Sequence, residues 1–209
     1  MNLAAECVPG EWVHLVGNVM IDTLLANIER ARERAVSTRE DLGLTDRYGV
    51  MTLHRPSNVD EADSLKALLG ALGEIAADVP LVFPTHPRTA NHLEDFGIEL
   101  PDGIRLIDPL GYLDFVGLVD GASIVLTDSG GVQEETSILG VPCLTLRENT
   151  ERPVTCELGT NELVGTEPAA ILDAAKRALD EPGEPAQMPL WDGQAAQRIA
   201  SVLMEDLGG

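Results

Sequence analysis

The sequence predicts an α/β protein built on a single Rossmann-like, doubly wound parallel sheet, and three observations lead there. Apolar runs of strand length alternate about six times with segments of helical periodicity. Those runs, such as 48–53, 81–83 and 124–126, are continuous rather than alternating with polar residues, as expected of strands covered on both faces. The polar clusters follow the strands, at the edge where such a sheet binds ligands.

Taken in order, residues 14–19 read as a strand end or a connection into an amphipathic helix over 20–37, with Ile21, Leu24, Leu25 and Ile28 on one face. A polar link over 38–47 leads to the strand 48–53. His54-Arg55-Pro56-Ser57-Asn58 stops it, the proline disfavouring helix at Arg55 and forcing a loop. A helix over 60–77 carries the stripe Leu65, Leu68, Leu69, Leu72 and Ile75. Strand 81–83 ends in Pro84-Thr85-His86-Pro87-Arg88, followed by a shorter helix over 89–96 and a strand over 104–107. Asp108-Pro109-Leu110-Gly111 then opens a helix over 112–120. Strand 124–126 turns through Thr127-Asp128-Ser129-Gly130-Gly131 into a helix over 132–139, and 142–146 is the next strand. Residues 147–153 form a charged loop, 162–164 a last short strand, and 168–179 a helix with proline in its first turn. A proline-rich extended connection over 181–189 precedes a closing helix over 194–207. The expected organisation is a linker strand and amphipathic helix over 1–40, the Rossmann-like domain over 41–180, and the connection with its closing helix over 181–209.

Charge is the strongest compositional deviation: 35 acidic against 14 basic residues, net −21, with Lys66 and Lys176 the only lysines. Such a field repels nucleic acid and anionic membranes. It also opposes an anionic ligand unless arginines and helix N-termini cancel it locally. No apolar run is long enough to span a bilayer, and MNLAAECVPG lacks a signal pattern, so the expectation is a soluble, cytoplasmic protein. Cys7, Cys143 and Cys156 lack CxxC spacing and read as reduced thiols. Without HxxxH spacing among the four histidines and without cysteine pairing, no metal site is expected.

Among the motifs, a helix entered through Gly130 and Gly131 leaves its first N–H groups pointed at the turn, where the positive dipole end suits a phosphate. Glu134 and Glu135 follow, and a carboxylate there can accept from ribose hydroxyls. The same junction also serves merely to pack helix on sheet. His54-Arg55 sets an imidazole beside a permanent cation, suited to a diphosphate or to proton handling, or simply packs a loop. His86 shares that ambiguity. Arg147, Glu148, Glu151 and Arg152 offer bidentate anion binding, or a solvated charge run with Arg147 paired to Glu148 or Glu151. Ser129 lacks the GxSxG setting of a hydrolase nucleophile. These separate signals share one rim of one sheet.

In the order TLHRPSN, THPR, TDSGGVQEE and TERPV, with NLAAE and GNVMIDTLL before and CELGTNELVGT after, the chain resembles the non-hydrolysing UDP-N-acetylglucosamine 2-epimerases over roughly residues 2–180. The resemblance implies the C-terminal half of a GT-B-like two-domain architecture. It implies interconversion of UDP-N-acetylglucosamine and UDP-N-acetylmannosamine by elimination and re-addition of UDP, without nicotinamide or metal. Carried over, the Ser129-Gly130-Gly131 turn holds the diphosphate, Glu135 the ribose hydroxyls, and Arg152 lies near the phosphates. Leu110 and Phe115 flank uracil, and His54 is the catalytic group on the sugar or diphosphate side. The family's N-terminal domain, expected to bring the base for the C2 proton, precedes the segment like NLAAE. The 209-residue chain is therefore expected to bind but not to epimerise alone, with an N-terminal half or a second copy as partner. A stand-alone nucleotide-sugar binding module, an inactive remnant and a glycosyltransferase donor domain are the rival readings.

Overall fold

In a computed structural model, residues 2–44, 47–181 and 183–208 are described, so residues 45 and 46 of the expected polar link and 182 of the expected connection lie outside the described residues. The described residues group into two compact units, one of 27–187 and one that joins 1–26 to 188–209. These boundaries differ from the 40/41 and 180/181 divisions expected from the sequence.

The larger unit is a six-stranded sheet in the order β3-β2-β1-β4-β5-β6. The strands are β1 (Gly49–Thr52), β2 (Leu81–Pro84), β3 (Ile104–Ile107), β4 (Ile124–Thr127), β5 (Cys143–Thr145) and β6 (Asn161–Leu163), and every neighbouring pair is parallel. Successive residues of one strand feed opposite cores. Met51, Leu81, Phe83, Ile124, Leu126 and Leu144 enter one core, with α4 (Ala62–Ala76) and α9 (Pro168–Asp180). Val50, Val82, Val125 and Cys143 enter the other, with α6 (Tyr112–Asp120) and α7 (Gly130–Leu139). Two buried faces leave no polar position along a central strand, which is why these strands read as unbroken apolar runs. The chain reverses its winding between β1 and β4, so the loops after those two strands open a crevice between them.

On the second face α2 (Val19–Asp41) reaches α6 closely: a Cβ on Gly117 would lie 2.3 Å from the Ala31 carbonyl oxygen. Arg32 and Arg34 of α2 meet Asp120 and Asp114 of α6 through paired hydrogen bonds. α7 ends at Gly140, whose φ of 77° supplies the left-handed turn that leads into β5.

Three local expectations are corrected. No strand is present among the described residues of 2–40; they hold the short α1 (Asn2–Ala5), a single 3₁₀ turn at Gly10–Trp12 and α2. The segment after β1 is not all loop. Arg55 is extended, as a residue before proline should be, but Pro56 then starts α3 (Pro56–Val59), its fixed φ being suited to a first helical position. Pro153 does the same for α8 (Pro153–Glu157), a helix the sequence reading missed. His86 also proves to be a helix cap: its Nδ1 accepts from the Arg88 N–H at 3.2 Å, and α5 (Pro87–Asp95) begins at once.

In the smaller unit Asp22 receives the Ala195 and Ala196 N–H groups at 3.1 and 2.7 Å, capping α10 (Ala195–Asp206) from a distance in sequence. Among the described residues no helix is long and apolar enough to cross a membrane.

Candidate functional site

The carboxyl ends of β1 and β4 are tied together by one buried carboxylate. Asp128 is fully buried and accepts from the His54 N–H at 3.0 Å, the Arg55 N–H at 2.9 Å and Asn58 Nδ2 at 3.1 Å. His54 Nδ1 lies 2.8 Å from its other oxygen. Burial pushes the Asp128 carboxyl up, but hydrogen bonds from the His54 side chain and the Arg55 N–H outweigh this and hold it below its ordinary value. With Nδ1 spent on Asp128, Nε2 is the ring nitrogen of the half-exposed His54 left for a ligand. His54 lines a cavity of about 420 Å³ together with Thr52, Leu110, Phe115, Ser129 and Val132. His86 and Arg88 line the same cavity, which brings in the histidine that sequence reasoning had left ambiguous.

Of the residues singled out from the sequence, His54, Leu110, Phe115 and Ser129 share this cavity. Gly130 and Gly131 open α7 beside it. The Ser129 N–H donates to Thr127 Oγ1 at 3.0 Å, and Gly130 and Gly131 supply the first amides of α7, where a helix offers no intrahelical acceptor. Glu135 lies farther along α7, 5% exposed. Burial raises its carboxyl to about 7; the Tyr112 hydroxyl pulls it back and Glu134 pushes it up further. Arg152 Nε stands 2.6 Å from Glu134 Oε1, but off the line of its N–H, so the contact is an ion pair without a hydrogen bond.

The loop after β5 is anchored from beneath by Gln133, fully buried, whose Oε1 accepts from Thr150 at 2.6 Å. Above it Glu151 takes Arg147 with both oxygens, at 2.7 and 2.9 Å, and reaches Arg55 at 3.6 Å. Of the two partners left open for Arg147, Glu151 is the one it holds. Asp128, Asn58, Gln133 and Glu151 were not singled out as site residues. The available signal was a carboxylate directly after a strand that ends in threonine, where burial is expected.

The whole is a Rossmann-like α/β domain of the kind that binds ligands at a topological switch point, with cations, two histidines and a helix N-terminus on one rim. Comparison with known proteins is specific. Residues 1–204 match the family model described as UDP-N-acetylglucosamine 2-epimerase, and the chain belongs to that family. It is 36% identical over 210 residues to the UDP-N-acetylglucosamine 2-epimerase of Methanococcus maripaludis, covering 97% of this chain and 57% of that protein. It is 39% identical over 191 residues to the UDP-2,3-diacetamido-2,3-dideoxy-D-glucuronate 2-epimerase of Pseudomonas aeruginosa, covering 90% and 51%. The crystal structure of Methanocaldococcus jannaschii UDP-GlcNAc 2-epimerase in complex with UDP-GlcNAc and UDP superposes with a TM-score of 0.88 at 37% identity, covering 98% of this chain and 58% of that one. The chain thus spans about half the length of the relatives it matches, and corresponds to their C-terminal half.

Proposed function

We propose that this chain forms the uridine diphosphate-holding half of an enzyme that interconverts UDP-N-acetylglucosamine and UDP-N-acetylmannosamine by eliminating UDP and adding it back with C2 inverted. The observation that carries the reading is the junction of β4 and α7: paired glycines start a ten-residue helix beside a cavity lined by His54, and the similar archaeal structure holds UDP-GlcNAc and UDP. In this reading the Gly130 and Gly131 N–H groups take the diphosphate, Glu135 takes the ribose hydroxyls once ionised, and Leu110 and Phe115 flank uracil. His54, oriented by Asp128, donates from Nε2 when protonated and stabilises the departing UDP. Arg152, half-exposed and paired to Glu134, adds positive charge beside the same helix start.

Among the described residues no carboxylate lines the cavity, and His54 stands on the side of the leaving group in this reading. Removing a C2 proton of very low acidity needs a placed base, so that base comes from a partner. Exchange at C2 in deuterated water tests the assignment. The chain alone gives none, and adding the N-terminal half of a relative restores it; full epimerisation by the chain alone contradicts it. Calorimetry with UDP separates this reading from an inactive remnant, which gives no heat.

A further inference from the structure

Around the glycine turn, His54 and two arginines are already matched to carboxylates. His54 is held by Asp128, Arg152 by Glu134, and Arg147 by Glu151. These matches differ in kind. Asp128 and Glu134 are buried beneath the rim, whereas the Glu151 side chain is 53% exposed. It also reaches the glycines: its Oε2 lies 4.0 Å from the point where a Cβ on Gly130 would stand. Its grip is uneven. Arg147 is held by two short hydrogen bonds, while Arg55 touches Glu151 at 3.6 Å and the Asp128 carbonyl oxygen at 3.4 Å, both at the long limit of such contacts. Hydrogen bonds from Arg147 and from the Glu151 backbone N–H, with the charge of Arg55 behind them, hold the Glu151 carboxyl down to about 2, so it stays charged at any physiological pH.

Resting on the uridine diphosphate reading above, we infer that Glu151 is a charge gate of the same site: a fixed anion beside the diphosphate position that discriminates against free UDP in favour of the esterified diphosphate of a nucleotide sugar. A diphosphate arriving at the Gly130 amides meets this carboxylate as an exposed like charge, and draws the loosely held Arg55 away from it. The repulsion grows with the charge of the ligand. A sugar ester leaves each phosphorus one ionised oxygen, whereas the terminal phosphate of free UDP carries close to a second charge near neutral pH. Glu151 therefore penalises the free nucleotide more than the ester and hastens its departure when it is not recaptured.

Calorimetry on the 209-residue chain with three probes, uridine, UDP-N-acetylglucosamine and UDP, tests this in the wild type, Glu151→Gln and Glu151→Asp. Glu151→Gln should leave uridine unchanged, tighten the nucleotide sugar about three-fold and tighten UDP about ten-fold, with both gains shrinking at molar salt. Glu151→Asp, which keeps the charge, should show less than half of each gain. Glu151→Ala is a second neutral variant, and the ordering must appear in whichever neutral variant keeps the wild-type unfolding temperature. Equal or weaker UDP binding in such a variant, or the same gain for all three probes, overturns the gate. Failure of the wild type to bind UDP at all contradicts the function proposed above rather than the gate alone.

Discussion

Gly130 and Glu135 show how single residues separate function from packing. A Cβ added at Gly130 meets nothing nearer than 4.0 Å, and its φ lies outside the left-handed region, so the fold itself accepts alanine there. Gly130→Ala should raise stability by about 0.5 kcal/mol in urea unfolding, because a less flexible unfolded chain loses less entropy. Under the proposed function the same methyl group would crowd the diphosphate, so affinity for UDP should fall at least ten-fold. Unchanged affinity in the stabilised variant means that the phosphates lie elsewhere. Glu135 gives a pH test. Its carboxyl is raised from 4.5 to about 7 in the folded protein, so the stability linked to it is fully present below pH 4.5 and is lost as pH rises through 7. Glu135→Gln should match the wild type at pH 4.5 and exceed it by about 3 kcal/mol at pH 8. Parallel stability curves for the two proteins refute the burial argument.

Elements were legible from the sequence to the extent that they bury a face. The strands at Val50, Val125 and Leu126 could be read from side-chain type alone because both sheet faces are covered, and α4 declared itself through Leu65, Leu68, Leu69 and Leu72. The short helices α3 and α8 could not: at four and five residues they are too short to show periodicity, and each begins at a proline that reads equally well as a loop. The glycine turn and His54 were visible as motifs. Asp128 was not, because its role comes from four donor contacts that only the pairing of β1 with β4 assembles. Glycines within helices divide in the same way. Gly117 is required by the α2 contact, so Gly117→Ala should cost about 1–3 kcal/mol, since a Cβ would stand 2.3 Å from the Ala31 carbonyl oxygen. Gly70 of α4 is exposed with nothing within 4 Å, and Gly70→Ala should stabilise by about 0.5–1 kcal/mol. Urea midpoints that move in the same direction for both would refute the close approach of α2 and α6.

Across the whole molecule, a net charge of −21 opposes the anionic ligand proposed for it. The site answers locally, with arginines, histidines and a helix start on one rim, while the rest of the surface remains repulsive. Screening reaches a few ångströms at molar salt, so the unfolding temperature should rise by several degrees between 0.1 and 2 M potassium chloride. No rise would show that self-repulsion is not what limits this fold. The central claim is that uridine diphosphate sits where β4 turns into α7, and a crystal of this chain soaked with UDP examines it most directly. The account predicts phosphate oxygens within hydrogen-bonding distance of the Gly130 and Gly131 N–H groups, with Arg55 drawn from Glu151 toward them. Density for the nucleotide anywhere else on the sheet would contradict it.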